Sequence, residues 1–473
     1  MQDVIIRSVQ DVVRFVNEQP VSRSAKWIVL VALGGVFVDA YDFASLGIGV
    51  VQIRQEFGLT PFWVGSVTAM MALGAFVGAI WGGYYTDKVG RYKMFLLDLV
   101  FLVAAAIGAA LAINLPMLLF FRFLMGVGVG LDFPVALAFI AEFINARNRG
   151  RSVNLWQGMW FIAASCTGLV TLPFYFLDVG EHLWRVAVGF GAVPALVILL
   201  LRYVLMDESP IWAAANEGLP AAARILEKTY GVKVAVSEPA SAKRAPAAGA
   251  DFWAIFSPKY RLRTILASII CMTQSLEYFA VGFNLPSISV RLFGSDFLYA
   301  ILGAIFFNLF GIAGGFGGAF ATERIGVRKL AIIGYALVIA SLLGLWLGGD
   351  GLPLGATALL LGLFVFGHSF GPGAQGMTMA ALSFPTRLRG VGTGWGQGMV
   401  RVGSILGFYF FPLAVAAVGL RGMMLYLALV PLLGLVAALS IAWEPTDHDV
   451  EELASYADLP FGGAPAIAPV QDR

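Results

Sequence analysis

The chain of 473 residues is 59% hydrophobic and only 13% charged, with a formal net charge of +2. Soluble domains carry roughly 45–50% apolar and about 25% charged residues, so a water-soluble fold of this length is excluded for want of polar surface. The near-neutral total hides a strong asymmetry of charge and says little by itself; no nucleic-acid partner is expected. The two cysteines, Cys166 and Cys271, lie in apolar runs and indicate neither a disulfide framework nor a metal site.

In chain order, residues 1–26 are mixed, carry Arg7, Arg14, Arg23 and Lys26, and show no cleavable signal peptide. The helical spacing of Val4, Val9, Val12, Val13 and Val16 predicts a surface helix over 3–18. A bilayer core of about 30 Å takes roughly 20 apolar residues as a helix. Six such runs follow, at 27–51, 62–85, 94–113, 115–140, 153–176 and 184–205. A polar segment, 206–262, then divides the chain; its start predicts short helices and 240–246 a flexible linker. Six more runs lie at 264–290, 297–321, 330–348, 352–382, 391–418 and 421–443, with glycines at 311–318 suited to close helix packing. Residues 444–473 predict a loose tail. The expected fold is an all-α membrane protein of twelve transmembrane helices in two pseudo-symmetric six-helix bundles, 27–205 and 263–443.

Basic residues set the orientation. Segments on the side of the two termini hold 24 of the 31 Lys and Arg, whereas the opposite side holds 4: Arg54, Arg185, Arg291 and Arg421. The positive-inside rule then places both termini in the cytoplasm of a cell whose inner (plasma) membrane the chain crosses.

A duplication underlies the even helix count. Arg147-Asn148-Arg149-Gly150 precedes Gln157-Gly158-Met159, and Arg387-Leu388-Arg389-Gly390 precedes Gln397-Gly398-Met399 at the same internal spacing. Gly82-Gly83, Asp87, Gly90 and Lys93 are answered by Gly317-Gly318, Glu323, Gly326 and Lys329. Two related halves of apolar helices are a common plan for secondary transporters, whose substrate site lies between the halves near mid-membrane.

The string Gly82-Gly83-Tyr84-Tyr85-Thr86-Asp87-Lys88-Val89-Gly90-Arg91-Tyr92-Lys93 reads as a tight basic loop between two helices, with Asp87 able to cap a helix or pair with Arg91. It resembles the signature loop of the major facilitator superfamily, and 318–329 is its degenerate copy in the second half. Asp207-Glu208-Ser209-Pro210-Ile211-Trp212 resembles the Pro-Glu-Ser-Pro-Arg-Trp string of sugar porters. Asp39-Ala40-Tyr41-Asp42 resembles the Asp-Gly-Tyr-Asp of aromatic-acid:proton symporters, and Gly130-Leu131-Asp132-Phe133-Pro134 the Gly-Gly-Asp-Tyr-Pro of phosphate:proton symporters. Glu142 with Arg147, Arg149 and Gly150 looks like the branch's cytoplasmic charge relay. The resemblance implies a major facilitator fold that works by alternating access. It also implies a cytoplasmic gate of Asp87, Arg91, Glu142, Arg149, Glu323 and Arg389, whose ion pairs latch that side; the alternative is that these charges only solvate helix ends.

Ionisable groups inside spans are costly and usually face a cavity. Here they are Asp39, Asp42, Asp98, Arg122, Asp132, Glu277, His368 and Arg401. Asp39 and Asp42, three residues apart, share a helix face, and Glu277 holds the corresponding place in the seventh run. Asp39, Asp42, Asp132 and Glu277, with Arg122, which matches an arginine associated with proton transfer in the resembling family, are the candidates for proton coupling. Asp132 lies ten residues beyond Arg122, about 15 Å along the helix, so each needs its own partner. Asp98 reads as a partner for the loop. Arg401 suits an anionic substrate group or neutralises Glu277.

Tyr41, Trp156, Gln157, Trp160, Tyr278, Asn284, His368, Gln375, Trp395 and Gln397 join Arg401 as candidate pocket residues, polar or aromatic groups that a largely apolar cleft needs to orient a small ligand. Catalysis has no support in the motifs, and no phosphate-cradling loop for ATP is present. The expectation is a proton symporter of a small organic anion without cofactor or metal, monomeric in the bilayer, with sugar, phosphate, an organic cation or an uncoupled facilitator as alternatives.

Overall fold

The structure, a computed structural model, describes residues 3–237, 252–294, 297–448 and 450. The expected linker at 240–246, the tail beyond 450 and the side chain of Asp87 lie outside the described residues. The first half holds helices α2 (Arg23–Glu56), α3 (Pro61–Val89), α4 (Arg91–Ala110), α5 (Leu115–Phe143), α6 (Arg149–Phe176), α7 (Leu183–Phe190) and α8 (Ala192–Leu205). The second holds α11 (Arg261–Val281), α12 (Leu285–Phe293), α13 (Phe297–Ile325), α14 (Val327–Gly348), α15 (Leu354–Phe370), α16 (Pro372–Leu382) and α17 (Thr386–Ser440).

Among the described residues, eleven helical stretches are long and apolar enough to cross a membrane. The twelfth is hidden in α17. Its 55 residues would span about 82 Å at 1.5 Å per residue, far more than a bilayer core, and the backbone leaves the helix at Gly419 (φ 70°, ψ 170°). The chain turns there, as the sequence runs 391–418 and 421–443 anticipate. Three other spans are broken rather than straight: α7 gives way to α8 at Gly191, α11 to α12 across 282–284, and α15 to α16 at Gly371.

The helices follow from local chemistry. Ser22 and Asn114 cap α2 and α5 by accepting the amides of Ala25 and Met117. Small residues let α3 and α5 touch: a Cβ at Gly126 would fall 2.0 Å from the Met71 carbonyl oxygen, and one at Gly130 2.3 Å from that of Ala75. The predicted basic loops shrink to single residues. Helix α3 runs to Val89, and Gly90 alone turns the chain at φ 109°; α13 runs to Ile325, and Gly326 does the same at φ 94°. Only glycine takes such φ values without strain.

The same repeat governs the helix starts after these turns. Glu208 accepts the amides of Arg91 (2.9 Å) and Tyr92 (3.2 Å), and Glu444 those of Val327 (3.0 Å) and Arg328 (2.9 Å). Each carboxylate satisfies two orphan donors at a helix N-terminus. Burial pushes the Glu208 carboxyl above its usual range against the opposing pull of these N–H groups and Arg91.

The predicted surface helix at 3–18 is instead β1 (Asp3–Ile6) followed by α1 (Val9–Glu18), capped by Ser8. The β-branched start pairs in parallel with β2 (Lys233–Val236). With α9 (Pro210–Asn216) and α10 (Leu219–Tyr230) these elements close a small apolar core of Ile6, Val12, Phe15, Val16, Ile211 and Leu226 at the basic end.

Candidate functional site

At mid-height the two halves enclose a cavity of about 30 Å³, room for about one or two waters. From the first half it is lined by Phe133, Trp156, Gln157 and Trp160, and from the second by Gln274, Tyr278, Phe279, His368, Met377, Gln397, Val400 and Arg401. A second cavity of about 50 Å³ lies on the side away from the basic loops, lined among others by Phe43, Gly47, Ile48, Phe283 and Pro286. Phe43 separates the two, with its ring 5.9 Å from that of Trp160 and 5.7 Å from that of Phe279. Arg401 lies over the same ring at 4.8 Å.

Around the cavity, polar groups have capacity to spare. Among the described residues, Nε and Nη1 of Arg401, both amide atoms of Gln397, Oε1 of Gln157 and the indole nitrogen of Trp156 are buried without a partner. Such groups cost about 1–3 kcal/mol each when left unsatisfied, a cost that a hydrogen-bonding ligand or water in this cavity would offset.

The charges sort into four groups. Arg122 is the cation acting on Asp42, and its Nη1 donates to the Asp42 carbonyl at 3.4 Å. Arg202 of α8 reaches Asp132 (2.6 Å) and Asp98 (3.1 Å), all three side chains with no exposure. Asp39 stands between this cluster and the other half: Asp132, Arg401, Asp42 and Arg202 are the charged groups acting on it. Glu277 pairs with His368, Oε1 to Nδ1 at 3.2 Å.

The basic end is shut. Arg91 Nη2 donates to Glu142 (2.9 Å) and to the Thr386 carbonyl (3.2 Å), and Arg389 lies 3.5 Å from the same Glu142 oxygen. Glu142 therefore joins α5 to α17 across the two halves. Glu323 of α13 accepts the Arg151 amide of α6 at 2.7 Å. Behind it, Asn154 of α6 bonds Thr322 (2.8 Å) and Thr378 (3.0 Å) of the second half.

Several expected positions differ. Asp98 is no loop partner: it is fully buried and pairs with Arg202 at 3.1 Å. Among the described residues Arg401 makes no ion pair with Glu277, whose hydrogen-bond partner is His368. Arg149 donates to Asn17 and to the Ile144 carbonyl, and its charge also acts on the Glu323 carboxylate. Tyr41 donates to the Ala187 carbonyl at 3.0 Å inside the first half. Trp395 bonds Ser268 (2.7 Å) within an aromatic cluster with Phe252 and Phe256, six residues short of Arg401. Asn284 folds back on the Ala280 carbonyl at the α11–α12 break, and Gln375 is buried in α16 outside the cavity wall. Cys166 and Cys271 are free thiols. Arg202, Phe43, Gln274 and Phe279 were not anticipated. For Arg202 a signal existed, since a cation deep in an apolar run needs an acid within the bilayer.

A family model described as "Sugar (and other) transporter" matches residues 27–454. The putative metabolite transport protein YaaU of Escherichia coli (strain K12) is 30% identical over 92% of this chain and 95% of its own length. The 4-hydroxybenzoate transporter PcaK of Pseudomonas putida is 28% identical, covering 84% and 88%. Among solved structures, the major facilitator proton:xylose symporter XylE bound to 6-bromo-6-deoxy-D-glucose superposes with a TM-score of 0.75 over 92% of this chain and all of that one, at 20% identity. On fold, on helix count and on these matches, the chain belongs to the sugar (and other) transporter family and is a multi-pass membrane transporter with the major facilitator fold.

Proposed function

We propose that the protein is a proton symporter that imports a small organic anion by alternating access, with Arg401 holding the anionic group. The observation that carries this reading is the guanidinium of Arg401, buried in the central cavity wall with two nitrogens lacking partners among the described residues. A planar guanidinium matches a carboxylate by paired charge-assisted hydrogen bonds. Gln397, with both amide atoms unpartnered, and Gln157, with Oε1 unpartnered, line the same cavity among the described residues, and Trp156, Trp160 and Phe279 offer faces for an aromatic or other apolar body. The relative PcaK is a 4-hydroxybenzoate transporter, and that molecule is of this kind.

Proton coupling rests on charge. Asp39, Asp42, Asp98, Asp132 and Glu277 are all buried, whereas Arg122, Arg202 and Arg401 are the buried arginines of the same layer. Full ionisation would leave a net negative charge in low dielectric, at a cost that proton uptake removes. The structural neighbour XylE is a proton:xylose symporter. In the cycle we infer, protons reach Asp39, Asp42 or Asp132 from the outer side, and Arg122 and Arg202 bias the carboxylates. Substrate then settles beside Arg401. The latch of Arg91, Glu142 and Arg389 opens, and both leave at the cytoplasmic face.

A sugar is the second reading, favoured by the amides of Gln157, Gln274 and Gln397, which suit hydroxyl groups. Uptake of labelled 4-hydroxybenzoate and D-xylose into proteoliposomes under an imposed inward proton gradient separates the two. The anion reading expects gradient-driven 4-hydroxybenzoate accumulation that Arg401→Ala abolishes; accumulation of xylose alone, tolerant of that change, would replace it.

A further inference from the structure

His368 belongs to no part of the cycle above, yet it touches an acid, Glu277, on one side and lines the cavity on the other. Its Nδ1 lies 3.2 Å from Oε1 of Glu277. The ring stacks on Tyr278 at 4.7 Å and 15°, which fixes its plane. On its far side, a Cβ at Gly373 would lie 2.6 Å from His368 Nε2 and 2.8 Å from the Gln157 amide nitrogen. Glycine at 373 thus leaves Nε2 open toward a side chain of the opposite half, in the cavity that both residues line.

Neutral imidazole carries one proton, and the nitrogen that holds it is set by what the other nitrogen faces. Beside an ionised Glu277, Nδ1 must donate, and Nε2 presents a lone pair to the cavity. Beside a protonated Glu277, Nδ1 must accept, and Nε2 presents an N–H. The other groups around the dyad do not override this. Tyr335 of α14 is the titratable group that interacts with Glu277 from that helix, held by Thr273 at 2.6 Å. Cys271 and Tyr278 lie on Glu277's own helix, and Arg401 of α17 lines the same cavity. The second oxygen of Glu277 has no partner among the described residues.

We propose that Glu277 and His368 form a proton relay that switches the substrate-facing nitrogen of His368 between hydrogen-bond acceptor and donor. A proton entering from the cavity binds Nε2 while the Nδ1 proton passes to Glu277 Oε1, so one proton is gained and the ring stays neutral. The cavity then offers an N–H beside Arg401 and Gln157, a donor set that grips a carboxylate or hydroxyl oxygen. When Glu277 loses its proton to the ring and Nε2 releases one to the cytoplasm, the donor becomes a lone pair that repels the same oxygen. This refines the symport reading and rests on it, since it gives the site a second coupling point in the half away from the aspartates.

Nitrogen NMR of histidine-labelled protein in liposomes tests the relay without any substrate. The chain has three histidines, and the His368 signals are those lost in His368→Gln. Across about pH 5 to 9, the range in which imidazole and its partners exchange protons, the protonated nitrogen is expected to change from Nε2 to Nδ1. In Glu277→Gln, whose amide can donate to Nδ1, Nε2 is expected to keep its proton throughout. A tautomer that stays fixed in the wild-type protein, or a ring with both nitrogens protonated at low pH, would overturn the relay. A switching ring in a protein that moves no solute would leave the relay standing and remove the symport reading instead.

Discussion

Arg202 and Asp132 meet at 2.6 Å between α8 and α5, with no solvent exposure on either side chain. The same guanidinium holds Asp98 of α4 at 3.1 Å, donates to the Phe95 carbonyl at 2.9 Å and lies over the Phe95 ring. One cation thus ties three helices of the first half and sits beside Asp39. Removing a single member of a buried ion pair typically costs about 3–5 kcal/mol, because the remaining charge is stranded.

Arg202→Met is therefore expected to lower stability by about 3–5 kcal/mol, read as a fall in the unfolding midpoint of the detergent-solubilised protein. Asp98→Asn is expected to cost less, since Asp132 keeps the guanidinium paired. An unchanged midpoint in Arg202→Met would show that the cluster is held by something other than the ion pair.

Space for that pair comes from α2. A Cβ at Gly35 would fall 2.0 Å from Arg202 Nη2 and 2.2 Å from Asp132 Oδ2. Gly35→Ala is expected to destabilise by about 1–3 kcal/mol, the usual cost of forcing a methyl into a filled interior. Gly355→Ala, where a Cβ meets nothing within 4 Å, is the matched control and is expected to unfold with the wild type.

The caps of α4 and α14 give a test of the internal repeat. Glu208→Ala and Glu444→Ala each leave two amides without their carboxylate and are expected to cost about 1 kcal/mol apiece. Because the two sites share no residue, the losses in the double variant are expected to add. Strong non-additivity in thermal unfolding would mean that the halves do not carry these caps independently.

The latch at the basic end makes a kinetic prediction. Glu142→Gln removes the charge that Arg91 and Arg389 share and is expected to favour the form open at that end. With Cys166 and Cys271 replaced by Ser, a single cysteine at cavity residue Met377 reports the opening. Its labelling by a membrane-impermeant thiol reagent from that side is expected to rise roughly tenfold, equivalent to about 1.4 kcal/mol. Unchanged labelling would assign Glu142 to the stability of the closed end alone.

What the sequence made legible follows from the length scale of each signal. The duplicated Arg-x-Arg-Gly and Gln-Gly-Met strings revealed two related halves, and the apolar runs located the spans within a few residues, because both are local patterns. The Asp98–Arg202 contact joins residues 104 apart and leaves no spacing to read. Tyr41 and Trp395 looked like pocket residues by type alone, but the pitch of their helices turns one into the first half and sets the other below the cavity. The α15–α16 break was concealed in a glycine-rich run, where Gly371-Pro372 stops the helix without adding a polar residue. The valines of 3–16 satisfied a helical period, yet the β-branched Val4-Ile5-Ile6 start found a strand partner more than 220 residues away.

The most direct test is a pH-electrode trace from tight, loaded proteoliposomes as 4-hydroxybenzoate is added. The account predicts alkalinisation of the external medium with the wild-type protein and none with a folded Arg401→Ala variant. Acidification would indicate exchange rather than symport, and silence from the wild type with this and other aromatic carboxylates would contradict the proton-coupled anion reading.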